Sequence, residues 1–372
     1  MKIALVHDWV TGMRGGERVL HELAAVFPGS DLYTLVHRPG ATSDRIDAMR
    51  VVESGIARLP GGRRHFRKLL PVLPWFVERF RFEGYDAVLS SSHAVAKGVL
   101  APPGTPHVCY CHTPMRYVWD HCEAYLGRGV RRTLADPLVR WLRRWDRGSS
   151  GPDRVTRFVA NSRTVAERVH RHYGREARVV YPPVDLEAFR PDGGAPEDYY
   201  LMVSSFVPYK REELAVEAFR NLDRPLLIAG DGPRRERVRS GSPPNVVFLG
   251  RIPDAALAAL YARCRAFVHP QEEDLGIAAL EAQASGRPVI AFGRGGATET
   301  VVPIGDPSGA PATGVFFREQ TVRALEAAVR EFEQAEARFD PRAIRAHAER
   351  FGASRFRREI REIVEQAVAD RR

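Results

Sequence analysis

Apolar residues recur along this chain in two alternating rhythms: short unbroken runs, and longer stretches where they return every three or four positions. That alternation predicts strands and helices in turn. A strand over Lys2–His7 opens the chain, followed by a loop bearing Gly12, Gly15 and Gly16. An amphipathic helix from about Glu17 to Phe27 comes next, with Val19, Leu20, Leu23, Ala24 and Phe27 at helical spacing. Further short apolar runs lie at Asp31–Val36, Ala87–Ser90, His107–Cys111 and Arg157–Ala160, with helical segments between them. Such alternation predicts a parallel sheet with helices on both faces.

The stretch VVYPPVDLEAFRPDGGAPEDYY breaks the rhythm with Pro182, Pro183, Pro191, Gly193, Gly194 and Pro196, which continue neither a helix nor a central strand. A domain boundary is expected there, separating residues 1–182 from 183–353. Beyond it the alternation restarts, with strands predicted at Tyr200–Ser204, Pro225–Gly230, Val246–Leu249, Ala266–Pro270 and Pro288–Phe292. Helices are predicted at Arg211–Asn221, Asp254–Ala262 and Gly276–Ser285. Two α/β units therefore follow one another. The end, Ser354–Asp370, reads as one amphipathic helix with Phe356, Ile360, Ile363, Val364 and Ala367 on one side, and such a helix needs a surface to cover.

Composition supports a folded chain of two or three domains. The 372 residues are 44% hydrophobic, 27% charged and 9% aromatic, which argues against disorder and fibrous repeats. The start MKIALVHDW has only a short apolar run and does not read as a signal peptide, and no stretch approaches a membrane span, so a cytoplasmic protein is expected. The net charge of +10 is uneven: residues 1–180 carry 29 basic against 17 acidic side chains, residues 181–372 carry 27 against 29. The excess concentrates in Arg58–Arg81 and Arg128–Arg147, where basic residues interleave with Leu, Phe and Trp. This is the pattern of a face toward anionic lipid, or of a solvated arginine-rich face. Four cysteines are too few for a disulfide scaffold and read as free thiols. Cys109-x-Cys111-His112 with His121-Cys122 holds zinc-type atoms without the usual ligand spacing, so no metal is expected.

Three places carry candidate chemistry. From Glu273 to Glu281 the chain reads EDLGIAALE, starting at a strand end. The backbone N–H groups of Leu275, Gly276 and Ile277 would be unpaired donors at a helix start, suited to a diphosphate, and carboxylates on that rim accept hydrogen bonds from sugar or ribose hydroxyls. Lys210, in SSFVPYKREEL, is one of four lysines among 56 basic residues and follows the first strand of the second half, where a point charge beside a diphosphate fits. His112, in CYCHTPMRYVWD, follows a strand, so its imidazole is expected at a sheet's carboxyl edge facing an interdomain cleft. The same logic extends more weakly to His7, Asp8 and the Gly15-Gly16-Glu17 loop, and to His93.

Together these elements resemble the retaining family 4 glycosyltransferases with the two-domain GT-B fold. They comprise the Glu-x7-Glu pair, GRPVIA and GG-x-x-E, the Val-Pro-Tyr-Lys-Arg stretch, GDGP at Gly230–Pro233, FLGRI at Phe248–Ile252 and YCHTP around His112, all in the family's order over nearly the whole chain. HDWVTGMRGGERVL, SSSHAVAKG and YCHTPMRYVWD look most like bacterial mannosyltransferases that build O-antigen and exopolysaccharide repeats from GDP-mannose. The resemblance implies two Rossmann-like parallel-sheet domains facing across a cleft, an N-terminal acceptor domain and a C-terminal donor domain, with the last helix, about 354–372, crossing back to the first. It further implies that Glu273 holds donor-sugar hydroxyls, Glu281 the ribose diol, Lys210 the diphosphate, the backbone near Arg251 and Ile252 the base, and His112 the transferring sugar, with Asp274 beside them on the donor rim. Many family members carry arginine where this chain has Ser205, and Arg211 or another arginine is the expected substitute. The implied partners are a nucleotide sugar and a saccharide or lipid-linked saccharide acceptor at the cytoplasmic face of an anionic inner membrane. No cofactor, metal or nucleic acid is implied.

Alternatives are a UDP-sugar donor on the same fold, a Rossmann oxidoreductase, and a non-enzymatic basic binding module. An oxidoreductase wants G-x-G-x-x-G at a strand–helix turn. Gly230-Asp-Gly232-Pro lacks the third glycine and Gly12-Met-Arg-Gly15-Gly16 has the wrong spacing.

Overall fold

The computed structural model describes residues 1–120, 122 and 130–371. Contacts divide the chain into two units, Met1–Pro183 with Ser354–Arg372, and Val184–Ala353. Each is built on one parallel sheet. In the first unit the strands are β1 (Ile3–His7), β2 (Asp31–Thr34), β3 (Val51–Glu53), β4 (Ala87–Ser92), β5 (His107–Cys111), β6 (Arg157–Ala160) and β7 (Ala177–Val179), ordered β3-β2-β1-β4-β5-β6-β7. β1, β4 and β5 are buried along their whole length, as central strands covered on both faces must be. Alternation along β1 divides the core: Ile3 and Leu5 pack in the cluster of Leu20, Leu23 and Tyr110, while Ala4 and Val6 pack with Tyr33, Phe66 and Phe82.

The helix Ala353–Ala369 buries Phe356, Ile360, Ile363, Val364 and Ala367 in the same cluster as Ile3 and Leu5. Phe356 meets the Tyr110 ring edge-on at 5.7 Å between centroids. Around this stripe, Arg357 pairs with Glu22 at 2.5 Å and Arg355 donates to the Tyr181 carbonyl at 2.6 Å. The amphipathic stripe thus finds its surface on the unit that begins the chain.

The second unit has strands β8 (Tyr200–Val203), β9 (Leu226–Ala229), β10 (Val246–Gly250), β11 (Phe267–His269), β12 (Val289–Phe292) and β13 (Gly314–Phe317), ordered β10-β9-β8-β11-β12-β13. Its core joins Tyr200, Met202, Phe219, Ile228, Val268, Ile290 and Phe332. Three strands, β3, β7 and β13, were not expected from the sequence. β3 and β7 are three-residue edge strands without a fully buried position, too short and too exposed to show a period.

In each sheet the strand order reverses once, between β1 and β4 and between β8 and β11. Chain segments leave the carboxyl ends of those neighbours in opposite directions, which opens a crevice toward which side chains converge. All four cysteines are free and buried. Among the described residues no group of three metal-ligating side chains forms, and no helix is long and apolar enough to cross a membrane. His121 and Arg128 of the sequence reading lie outside the described residues.

Truncating the C-terminal stripe tests its weight. Phe356→Ala should cost about 3–5 kcal/mol, as large-to-small changes at sealed aromatic sites do, measured by denaturant unfolding. Loss of under about 1 kcal/mol would show that the helix does not close the core.

Candidate functional site

In the first unit, parallel pairing sets His7 at the end of β1 opposite Ser91 near the end of β4. The next residue, Asp8, is fully buried, and its carboxylate accepts the N–H groups of His93, Ala94, Val95 and Ala96 at 2.7, 3.0, 2.6 and 2.7 Å. Four amides at the start of a turn would otherwise lack acceptors, so Asp8 fixes the backbone after β4. His93 adds its ring nitrogen to the same carboxylate at 3.1 Å. Asp8 and His93, weak candidates from the sequence, are therefore supports.

Above them His7 Nδ1 lies 3.1 Å from Ser91 Oγ, which in turn lies 2.8 Å from His112 Nε2. The rings of His7, His93 and His112 stand 6.0–6.3 Å apart. His112 is anchored through its backbone, donating to the Ser92 carbonyl and accepting from Asn161 Nδ2, both at 2.9 Å. Burial drives His112 well below the usual histidine range and His7 down to about 4, so both are neutral hydrogen-bonding rings at physiological pH. Gly15 and Gly16, expected in a loop, are instead the first residues of the helix Gly15–Val26. Glycine is a poor helix former, but the first turn has no amide bonds to lose. A Cβ on Gly16 would stand 3.4 Å from the His7 ring and 3.9 Å from His112 Nε2, so the helix start faces this histidine group. Glu17, in the same turn, is pushed up to about 7 by burial, against the pull of backbone amides and Arg14.

In the second unit, Lys210 ends a short turn after β8, and its ammonium is ion-paired with Glu273, which follows β11. Burial acts to lower the Lys210 pKa, but Glu273 outweighs it and leaves it raised. The adjoining helix is Ile277–Ala284, headed by Gly276 at φ 88°, the left-handed region that favours glycine. Leu275, Gly276 and Ile277 thus lie at a helix start, where the first amides have no intrahelical acceptor. Two glycine pairs bring the loops this close. A Cβ at Gly296 would fall 2.1 Å from Leu275 Cα, and one at Gly232 would fall 1.9 Å from the Ser205 carbonyl. The GG and GDGP elements are thus packing surfaces for the loops that present Glu273 and Lys210. Sequence reasoning missed two further residues: His269, at the end of β11, and Gln271, both fully buried beside Glu273. Both precede the acidic run in an apolar context that reads as plain strand end.

The other candidates are more dispersed. Glu281 is buried in the body of the helix and accepts from Tyr261 Oη at 3.1 Å. Ser205 and Arg211 are exposed, and Arg211 sits at φ 59° just before the helix Glu212–Leu222. Arg251 and Ile252 follow β10, and Asp274 is half-buried next to Glu273.

Two family models match this chain in succession: Glycosyltransferase Family 4 over residues 13–188, and Glycosyl transferases group 1 over residues 187–350. A GDP-mannose-dependent alpha-mannosyltransferase of Mycolicibacterium smegmatis is 34% identical over 172 residues, 46% of this chain and 39% of that protein. A GDP-mannose-dependent alpha-(1-6)-phosphatidylinositol monomannoside mannosyltransferase of Mycobacterium tuberculosis is 32% identical over 196 residues, 44% of this chain and 50% of that protein. The chain therefore spans half or less of the length of these curated relatives. Among solved structures, sucrose-phosphate synthase from Thermosynechococcus elongatus superposes with a TM-score of 0.74 at 20% identity, covering 100% of both chains. Anabaena HepE in complex with UDP gives 0.71 at 17% identity, covering 98% of this chain and 100% of that one. At such identities the likeness is one of fold, and the fold is GT-B.

The buried neutral imidazoles make the fold acid-sensitive. His7 and His269 titrate near 6.5 when unfolded and near 4 when folded, because burial penalises their charged forms. Between those values the unfolded chain binds more protons, so stability is intact above about pH 6.5 and drains as pH falls toward 4, by on the order of 3 kcal/mol for each ring. Thermal unfolding measured from pH 7.5 to 4.5 should show a falling Tm that His7→Gln flattens in part. A Tm independent of pH across that window would contradict their burial as neutral rings.

Proposed function

As a member of the group 1 and family 4 glycosyltransferases, this chain is, we propose, a retaining hexosyltransferase that moves mannose from GDP-mannose to a lipid-linked or oligosaccharide acceptor in cell-surface polysaccharide synthesis. The observation that carries this reading is the Lys210–Glu273 pair at the carboxyl edge where the β8–β11 order reverses, beside the start of Ile277–Ala284. A leaving nucleoside diphosphate needs concentrated positive potential, and an ammonium beside a helix start supplies it. Glu273 takes donor-sugar hydroxyls, Glu281 the ribose diol, and the backbone at Arg251 and Ile252 the base. His112, kept neutral by burial, contacts the transferring sugar by hydrogen bonding. GDP-mannose is favoured by the names of the Mycolicibacterium and Mycobacterium relatives. A UDP-sugar is the second reading, because HepE was solved with UDP-glucose.

A screen of GDP-mannose, UDP-glucose and UDP-GlcNAc for thermal shift and donor turnover decides between them. Lys210→Ala and Glu273→Ala should each lower transfer about a hundredfold, the effect of removing one group that stabilises developing charge, with little loss of Tm. Activity within threefold of wild type in either variant would refute the assignment.

The acceptor side is proposed to work at the cytoplasmic face of an anionic membrane. Leu59, Val72 and Trp75 are exposed within the basic run 58–81, and the Arg79 guanidinium lies 3.5 Å from the Trp75 ring centroid. Not every basic residue of that run is available. Arg63 is bound bidentately to Glu53 and donates to the His37 carbonyl, and Arg67 lies over Trp9 and Phe66. The test is therefore Arg64→Gln, Lys68→Gln and Trp75→Ala together. Binding to anionic liposomes should fall about tenfold or more, since each basic residue there is worth about 1 kcal/mol, while transfer to a short soluble acceptor survives. Liposome binding insensitive to both the substitutions and salt would leave the run as a solvated face.

A further inference from the structure

His269 ends β11 and is fully buried. Its two ring nitrogens are differently placed. Nδ1 lies 3.0 Å from Gln271 Nε2, so the amide donates and Nδ1 accepts. The ring proton then belongs to Nε2, which is buried without a hydrogen-bond partner. Nε2 faces Glu273 Oε2 at 3.7 Å, and a Cβ on Gly276 would come within 3.0 Å of it. The opposite arrangement, with the Gln271 carbonyl accepting from Nδ1–H, would turn a bare lone pair toward a carboxylate, an electrostatically unfavourable contact. Folded proteins seldom leave a buried donor unmatched, so an acceptor for this N–H is expected in some state of the molecule.

The other side of Glu273 supplies that state. Its Oε1 is ion-paired with Lys210 while Oε2 looks toward His269. A nucleoside diphosphate would compete for the ammonium with more charge than one carboxylate carries. Once Lys210 turns to the diphosphate, Glu273 loses its counterion in a half-buried position and needs a replacement donor. Closing 3.7 Å to hydrogen-bond length needs under about 1 Å of side-chain movement.

Building on the donor-site reading of Lys210 and Glu273, we propose that His269 is a positioning residue: when a nucleoside diphosphate sugar binds, Lys210 passes from Glu273 to the diphosphate, and His269 Nε2–H takes over the Glu273 carboxylate and aims it at the sugar hydroxyls. With Lys210 on Glu273, burial and the nearby ammonium hold the ring neutral, at a pKa of about 4. Gln271 holds the tautomer. The diphosphate triggers the exchange, and the sugar benefits from it, because its hydroxyls meet a carboxylate that His269 already holds.

The test compares His269→Leu, which removes the donor, with His269→Gln, whose amide nitrogen can reach the place of Nε2. Binding of GDP and UDP is measured by calorimetry and turnover with GDP-mannose and UDP-glucose by kcat/KM, with Tm recorded throughout. Expected are nucleoside diphosphate affinities lowered by no more than a few-fold in His269→Leu, kcat/KM lowered about tenfold to a hundredfold in the same variant, and recovery of kcat/KM to within a few-fold of wild type in His269→Gln. In a Glu273→Gln background the Leu change should add nothing. Should His269→Leu not fold, the wild-type protein still reports: in 1H–15N spectra of the imidazole, the Nε2–H signal should move downfield on saturation with nucleoside diphosphate as well as with sugar nucleotide. Wild-type turnover by His269→Leu, an equal loss of nucleoside diphosphate affinity, or an unmoved Nε2–H signal would overturn the proposal. A wild-type protein that binds neither nucleoside diphosphate would overturn the donor-site reading and this proposal with it.

Discussion

A parallel sheet covered on both faces cannot close its own hydrogen bonding at the strand ends, and it must reverse its direction of winding somewhere along its width. Both units of this chain meet that constraint in the same way, by reversing beside their first strand, β1 against β4 and β8 against β11. The carboxyl ends at those reversals are where backbone amides, helix starts and loop side chains are left without local partners. Two clusters of polar side chains gather there. His7, Asp8, Ser91 and His93 crowd the first, Lys210, His269 and Glu273 the second.

The two crevices handle polarity in different ways. In the first unit a fully buried carboxylate, Asp8, is saturated by four amides and an imidazole, so it holds the chain rather than awaiting a ligand. The neighbouring histidines are neutral through burial. In the second unit charges are kept, Lys210 against Glu273, and the buried imidazole beside them has a donor to spare. A saturated network rigidifies and an unsaturated one can exchange partners. His7 Nε2 in the first crevice is likewise buried without a partner, so the contrast is between Asp8 on one side and the Lys210–Glu273 pair on the other.

Close packing of backbone on backbone makes the second arrangement possible. Gly296 beneath Leu275 and Gly232 beneath Ser205 let the two loops descend onto their neighbours, where any side chain would force them apart by more than an ångström. The GDGP and GG elements of the sequence are in this chain supports for the residues in front of them.

The one-dimensional pattern was sufficient for the fold class and for most strands, because apolar runs of four to six residues between helical stretches have few other uses. His107–Cys111 and Arg157–Ala160 run to the predicted residue at both ends. The amphipathic face of the last helix was legible for the same reason, since Phe356, Ile360, Ile363 and Val364 repeat at a helical period. Lys210 and Glu273 were readable as candidates from their place after predicted strands. That they pair with each other, across 63 positions of sequence, was settled by the strand order β8-β11, which local pattern does not encode. Gly15 and Gly16 were misplaced because glycine's low helix propensity says nothing about a first turn packed on two imidazoles. The edge strands β3 and β7 escaped because three half-exposed residues show no period. His269 escaped for the deepest reason: a histidine at a strand end has no distinguishing neighbours in sequence, and only folding places its unused N–H beside Glu273 and Gly276.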